Sequence, residues 1–143
     1  MRVLVDSSVW IDHLRGARTR ETTILDTLLG WLDPGRESRD REAIVDLVVG
    51  DLVLCEVLRG IPDPSEHATV KDILLNFELV PIGGIDLALE AADHYRALRR
   101  QGFTVRKTID LLIGTWCIAN DCRLLHSDRD FAPMIRHLGL RAL

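Results

Sequence analysis

The sequence predicts an α/β fold of three layers, with a central parallel sheet of about four to five strands held between helices. Three observations carry that expectation. Short runs rich in β-branched residues alternate with segments of helical period along the chain. No Asn-Gly type hairpin joins one run to the next, so successive strands need crossover connections. The first run, Arg2-Val3-Leu4-Val5, lacks polar alternation, as expected of a strand covered on both faces.

The elements follow in order. Arg2 to Val5 is the first strand, and it runs into Asp6-Ser7-Ser8 before a further apolar stretch. Glu21 to Leu32 carries Ile24, Leu25, Leu28, Leu29 and Leu32 at helical spacing. The polar stretch Asp33 to Glu42 is the one long loop, and Ala43 to Val49 is the second strand, punctuated by Gly50-Asp51. Leu52 to Leu58 fits a helix capped by Asp51 and closed near Gly60. Pro64 to Phe77 reads as a helix, Glu78 to Ile82 as a strand, and Gly83-Gly84 as a break. Asp86 to Gln101 is a long amphipathic helix stopped by Gly102, and Thr108 caps a buried helix that reaches Asn120. Arg123 to His126 is a strand, Phe131 to His137 a helix, and Leu140 to Ala142 a last short strand.

The length of 143 residues fits one domain, residues 1–143, with a real core. Hydrophobic residues at 47% and charged residues at 28% are those of a soluble globular protein. A net charge of −4 and a pI near 5.7 exclude a basic nucleic-acid sleeve. They leave room for an acidic cleft with a basic rim. Cys55, Cys117 and Cys122 form no C-x-x-C pair and, with no signal peptide at the N-terminus, read as buried reduced thiols of a cytoplasmic protein. The apolar stretch Leu111 to Ala119 is too short to span a bilayer, so no membrane is expected. The histidines lack zinc-ligand spacing.

The chemistry lies in acids placed beside apolar segments. Asp6 follows the first strand, Glu56 sits in LVLCEVL, Asp110 opens the most buried helix, and Asp128 and Asp130 follow the fourth strand. Each has a structural alternative: Asp6 and Asp128 as helix caps, Asp110 as a partner of the helix dipole, Glu56 paired with Arg59. Taken together they are harder to explain, because a buried carboxylate costs several kcal/mol unless paired or metal-bound. Oxygen donors without His or Cys suit Mg²⁺ or Mn²⁺ and not zinc. Such acids, with no nucleophile among them, are equipment for metal-assisted phosphodiester hydrolysis.

Four blocks, MRVLVDSSVWIDHLRG, LVLCEVLRG, TVRKTIDLLI and LLHSDRDF, fall in an order that resembles PIN-domain ribonucleases, most of all the VapC toxins of bacterial toxin–antitoxin pairs. The resemblance implies a PIN-like fold and an endoribonuclease dependent on Mg²⁺, for which Mn²⁺ can substitute. It also implies a homodimer, a heterotetramer or larger assembly with a VapB-like antitoxin, and a structured substrate such as transfer or ribosomal RNA. Carried over by position, Asp6, Glu56, Asp110 and Asp128 are the catalytic, metal-holding acids, Asp130 is a further ligand, and Ser7 supports the first aspartate. Whether Asp128 or Asp130 is the fourth essential acid stays open. Arg59, Arg106, Lys107 and Arg129 lie near these acids and are candidate RNA contacts. Two departures stand out: the long Asp33 to Glu42 stretch, and Gly114-Thr115-Trp116 where small alanine-like residues are usual.

The charge of the cleft also predicts that the antitoxin inserts a basic side chain among the acids, with apolar residues beside it in a groove lined by Trp10, Leu14 and Leu58. Rival enzymes fare poorly. A receiver domain needs a lysine after Lys107, a haloacid-type phosphatase needs D-x-D after the first strand, and a serine hydrolase needs G-x-S-x-G; none occurs. The remaining alternative is a catalytically inactive PIN-fold interaction module.

Overall fold

The computed structural model describes residues 1–32 and 45–143. Its elements are β1 (Arg2–Val5), α1 (Ser7–Leu14), α2 (Arg20–Trp31), β2 (Asp46–Gly50), α3 (Asp51–Arg59) and α4 (Pro64–Leu74). They continue with β3 (Glu78–Val80), α5 (Ile85–Arg100), α6 (Thr108–Ala119), β4 (Arg123–Leu125), a 3-10 turn (Arg129–Phe131) and α7 (Ala132–His137). The expected loop from Asp33 to Glu42 and the first residues of the second strand lie outside the described residues.

The four strands are parallel in the order β3-β2-β1-β4. The chain moves from β1 outward to β2 and β3, then returns to place β4 on the other side of β1. The crossover direction therefore reverses between β1 and β4, and their carboxyl ends diverge into a crevice of the kind where open α/β sheets bind ligands. Helices cover the sheet in two sets, α1 to α4 packing mainly among themselves and α5 to α7 likewise. Val3, Leu4 and Val5 of β1 and Leu124 and Leu125 of β4 are wholly buried, each worth roughly 1.5–3 kcal/mol in apolar area removed from water.

Several boundaries differ from those expected, each for a physical reason. β3 stops at Val80 because Pro81 has no N–H for the ladder, and the next N–H, of Ile82, donates to the Asp51 carboxylate at 2.8 Å. Asp51 is thereby the first residue of α3 and not its cap; Gly50 takes that place. Lys107, with extended backbone, caps α6 where Thr108 was expected, and Thr108 is the first helical residue. The strand expected at Leu140 to Ala142 shrinks to one parallel bridge between Leu124 and Ala142. α4 ends at Leu74, which frees Phe77 to pack on Trp10 at a ring separation of 5.7 Å. Cys55 is exposed, because Val53 and Val57 turn the opposite face of α3 to the core; Cys117 and Cys122 are buried as expected.

The Gly114-Thr115-Trp116 departure has its own packing account. A Cβ on Gly114 would stand 2.5 Å from Cε of the fully buried Met134, so a larger residue there requires the Met134 side chain to move. Thr115 is buried and its hydroxyl lies 3.0 Å from His94 Nδ1, tying α6 to α5. Trp116 carries the Arg2 guanidinium over its ring at 5.7 Å.

Gly114→Ala should therefore destabilise the protein by about 1–3 kcal/mol by urea unfolding, against its higher helix propensity. Combined with the shorter Met134→Val, the two costs should fall short of additivity by about 0.5 kcal/mol or more. Strict additivity would mean that the contact does not limit residue 114.

Candidate functional site

Four elements deliver acids to the crevice. Asp6 directly follows β1, and its N–H extends the ladder to the Leu125 carbonyl at 2.9 Å. Glu56 lies on α3, which springs from the carboxyl end of β2. α6 runs back toward the start of β4, so its N-terminus, with Asp110 in the first turn, stands at the same edge. Asp128 and Asp130 follow β4 around the 3-10 turn. Helix N-termini carry partial positive charge, which favours acids there.

The cap and ligand readings of Asp6 are both met, by different oxygens. Oδ2 caps α1, accepting from Ser8 N at 3.1 Å and from the Ser8 hydroxyl. Oδ1 is buried with no hydrogen bond, although only 3% of the residue is exposed. Asp110, 5% exposed, likewise keeps a buried Oδ2 without a hydrogen bond. Asp128 divides in the same way. Its Oδ1 accepts from Asp130 N at 3.0 Å, and its Oδ2 accepts from Lys107 Nζ at 2.5 Å. Carboxylate oxygens of Asp110, Asp128 and Asp130 lie within 4.8 Å of one another, a spacing that one cation can bridge.

Ser7 was expected to support Asp6. Its backbone N–H does favour the Asp6 carboxylate, but its hydroxyl donates to Glu56, and the hydroxyl that holds Asp6 is that of Ser8. Because both serines open α1 and project differently, the D-S-S stretch orients two acids on two elements. Glu56 has no ion pair with Arg59 among the described residues, contrary to the surface alternative, and Arg59 is exposed in the last turn of α3. Arg106 and Arg129 line a cavity of about 510 Å³ with Ser8, Ser127, Asp128 and Asp130. Lys107 is 3.8 Å from Asp110 Oδ2 as well as bonded to Asp128. Sequence reasoning passed over Ser8, signalled by its place two residues after a helix-capping aspartate. It also passed over His126, whose Nδ1 donates to the Asp128 carbonyl at 2.9 Å and steadies the turn.

The electrostatics follow from burial. Burial raises the Asp6 pKa and repulsion from Glu56 adds to it, while the Ser8 bonds oppose both. Asp110 is pushed up to about 7, first by burial and then by repulsion from Asp6, against the pull of Lys107. Asp128 moves the other way, held down by the Asp130 N–H and then by Lys107. The unbonded oxygens of Asp6 and Asp110 fit a cation. A set made only of carboxylates fits a hard divalent ion such as Mg²⁺ or Mn²⁺.

A second, smaller groove of about 110 Å³ runs along Ile11, Leu14, Arg15, Val57, Gly60, Ile61, Pro62 and Glu66. It takes the place of the expected Trp10, Leu14 and Leu58 lining: Trp10 is buried against Phe77, and Leu14 alone is shared. Among the described residues no helix is long and apolar enough to cross a membrane.

Folded Asp110 keeps its proton up to about pH 7, whereas an unfolded carboxyl releases it near 3.8. The folded state thus holds the extra proton across that window, and stability falls as pH rises through it. In EDTA the melting temperature should drop between about pH 4 and pH 7. Asp110→Asn should flatten that drop and melt higher than the wild type at the alkaline end. An unchanged slope in the variant would contradict the assignment.

A family profile of the PIN domain matches residues 3–134. The chain is similar to VapC ribonuclease Mb1587 of Mycobacterium bovis, 28% identical over 143 residues, with 98% of this chain and 96% of the relative covered. It matches Ribonuclease VapC11 of Mycobacterium tuberculosis with the same identity and coverage. Among solved structures it is similar to VapBC2 from Rickettsia felis bound to a promoter DNA fragment, with a TM-score of 0.71 and 15% identity, covering 100% of this chain and 98% of that one. VapBC-1 from nontypeable Haemophilus influenzae gives a TM-score of 0.68 at 14% identity, covering 100% and 97%. Those two likenesses speak for the fold, and the profile, spanning nearly the whole chain, speaks for descent: the chain belongs to the PIN domain family.

Proposed function

We propose that this chain, as a single PIN domain over residues 1–143, is the toxin of a type II toxin–antitoxin pair and a metal-dependent endoribonuclease. The observation that carries the reading is the pair of buried carboxylates, Asp6 and Asp110, each with an oxygen lacking any hydrogen bond, beside Asp128 and Asp130. A protein that used these acids only for structure would have satisfied or solvated those oxygens. The similarity to VapC ribonucleases supports the same reading.

In this reading Asp6, Asp110 and Asp128 hold Mg²⁺ or Mn²⁺, with Asp130 assisting from the turn. A divalent ion held there supplies Lewis acidity toward water and toward the phosphate oxygens. Glu56, fixed by the Ser7 hydroxyl, orients the attacking water and accepts its proton. Arg106 and Arg129, lining the cavity with Asp128 and Asp130, meet the RNA backbone, and Arg59 reaches it from the end of α3. Attack by water in line with the leaving group yields a 5′-phosphate and a 3′-hydroxyl. A VapB-like antitoxin closes the centre with a basic side chain while its apolar residues lie along Ile11, Leu14 and Ile61.

The inactive-module alternative predicts that the acids can be removed without consequence, and the burial of Asp6 and Asp110 with one oxygen each lacking a hydrogen bond argues against it. Asp6→Asn should lower Mg²⁺-dependent RNA cleavage by roughly a hundredfold or more and relieve growth inhibition on induction. Its melting temperature in EDTA should hold or rise, because one charge leaves a crowded cluster. EDTA should abolish cleavage by the wild type. Full cleavage by the variant, or by the EDTA-treated wild type, would contradict the metal-dependent mechanism, and a wild type that cuts no RNA with Mg²⁺ present would return the protein to a binding role.

A further inference from the structure

Lys107 was a candidate phosphate contact by its position in the sequence. Its side chain is engaged elsewhere. The backbone caps α6, with the Lys107 carbonyl accepting from Leu111 N at 3.1 Å, so the stem starts from a fixed point above the first turn. From there Nζ reaches 2.5 Å from Asp128 Oδ2 and 3.8 Å from Asp110 Oδ2. These acids, with Asp130, are the ones whose oxygens cluster within 4.8 Å. The ammonium is therefore the one positive side chain that the described residues place in contact with the cluster. Burial also differs between the partners: the Lys107 side chain is 60% exposed, whereas that of Asp110 is 7% exposed. The cation can swing into water while Asp110 cannot.

Resting on the metal reading above, we propose that Lys107 is the protein's own counter-cation. Its ammonium balances Asp128 and Asp110 in the absence of a divalent ion, an arriving ion displaces it, and it thereby sets the ion concentration at which the centre loads. The residue type supports this. Lys71 and Lys107 are the only lysines in a chain with 18 lysines and arginines in total, so a lysine here runs against the chain's bias. An arginine fork would grip a carboxylate through two bonds and yield less readily, whereas an ammonium on a flexible stem is a point charge that leaves intact geometry behind. Exposed ion pairs are weak, so the displacement costs little and the threshold shifts by a modest factor.

The test is Mn²⁺ binding to the purified full chain by calorimetry, with no RNA present. Lys107→Met, which keeps the stem and removes the charge, should bind Mn²⁺ roughly two- to fivefold more tightly than the wild type. It should also melt lower in EDTA and gain more from added Mn²⁺. Lys107→Arg should move the affinity in the opposite direction, because its fork holds the acids more firmly. Unchanged or weaker Mn²⁺ binding by Lys107→Met would overturn the proposal, as would tighter binding by Lys107→Arg. A Lys107→Met variant that loses RNA affinity at unaltered Mn²⁺ affinity would make Lys107 a plain phosphate contact. Asp110→Asn separates the two levels of inference. If Mn²⁺ binding survives that change, the metal reading itself fails; if binding is lost but the Lys107 variants match the wild type, only the counter-cation role fails.

Discussion

Asp6 and Asp110 leave water together, and the rest of the site is arranged around the cost of that removal. Each is almost wholly buried, each keeps an oxygen without a hydrogen bond, and Asp6 disfavours ionisation of Asp110. In a medium of low polarity two such groups cannot both ionise without compensation. Three compensations are visible. The Ser8 amide and hydroxyl stabilise Asp6, the Lys107 ammonium lies near Asp110, and the N-termini of α1 and α6 point their partial charge at the pair. They are incomplete, since the Asp110 carboxyl still rises to about 7. A divalent cation would supply what is missing, which is why the reading of function rests on these two residues.

The sheet order makes that arrangement possible. With β1 between β2 and β4, the carboxyl ends of three neighbouring strands lie side by side, and α3 and α6 present their first turns at the same edge. Residues separated by more than a hundred positions thus meet at one edge of the sheet. The short connections also limit freedom: Asp6 is one residue beyond β1, and the turn bearing Asp128 is pinned by Asp130 N and by the His126 ring. Preorganisation of this kind puts charge in place before a substrate or ion arrives.

Much of this was legible in the sequence, because the strands are continuous apolar runs and the acids interrupt them. The element types, the parallel sheet and the convergence of Asp6, Glu56, Asp110 and Asp128 could be read from pattern and resemblance. The Ser7 and Ser8 assignments could not. Two adjacent serines look alike in a sequence, and only the helix geometry decides which hydroxyl faces Asp6 and which faces Glu56. Asp51 and Thr108 show a related limit: residues suited to capping are also favoured in a first turn, so composition leaves the position free by one. Lys107 was legible as a nearby charge, but its partner depends on how the end of β4 approaches the start of α6, a long-range contact with no local signal.

The central claim is that the unbonded oxygens of Asp6 and Asp110 exist to hold a divalent cation. The most direct measurement is anomalous diffraction from crystals of the protein grown with Mn²⁺. The account predicts a manganese peak among Asp6, Asp110 and Asp128, with the Lys107 side chain swung away from Asp128. A peak elsewhere, or a centre in which Asp6 and Asp110 share a proton and exclude the ion at saturating Mn²⁺, would contradict it.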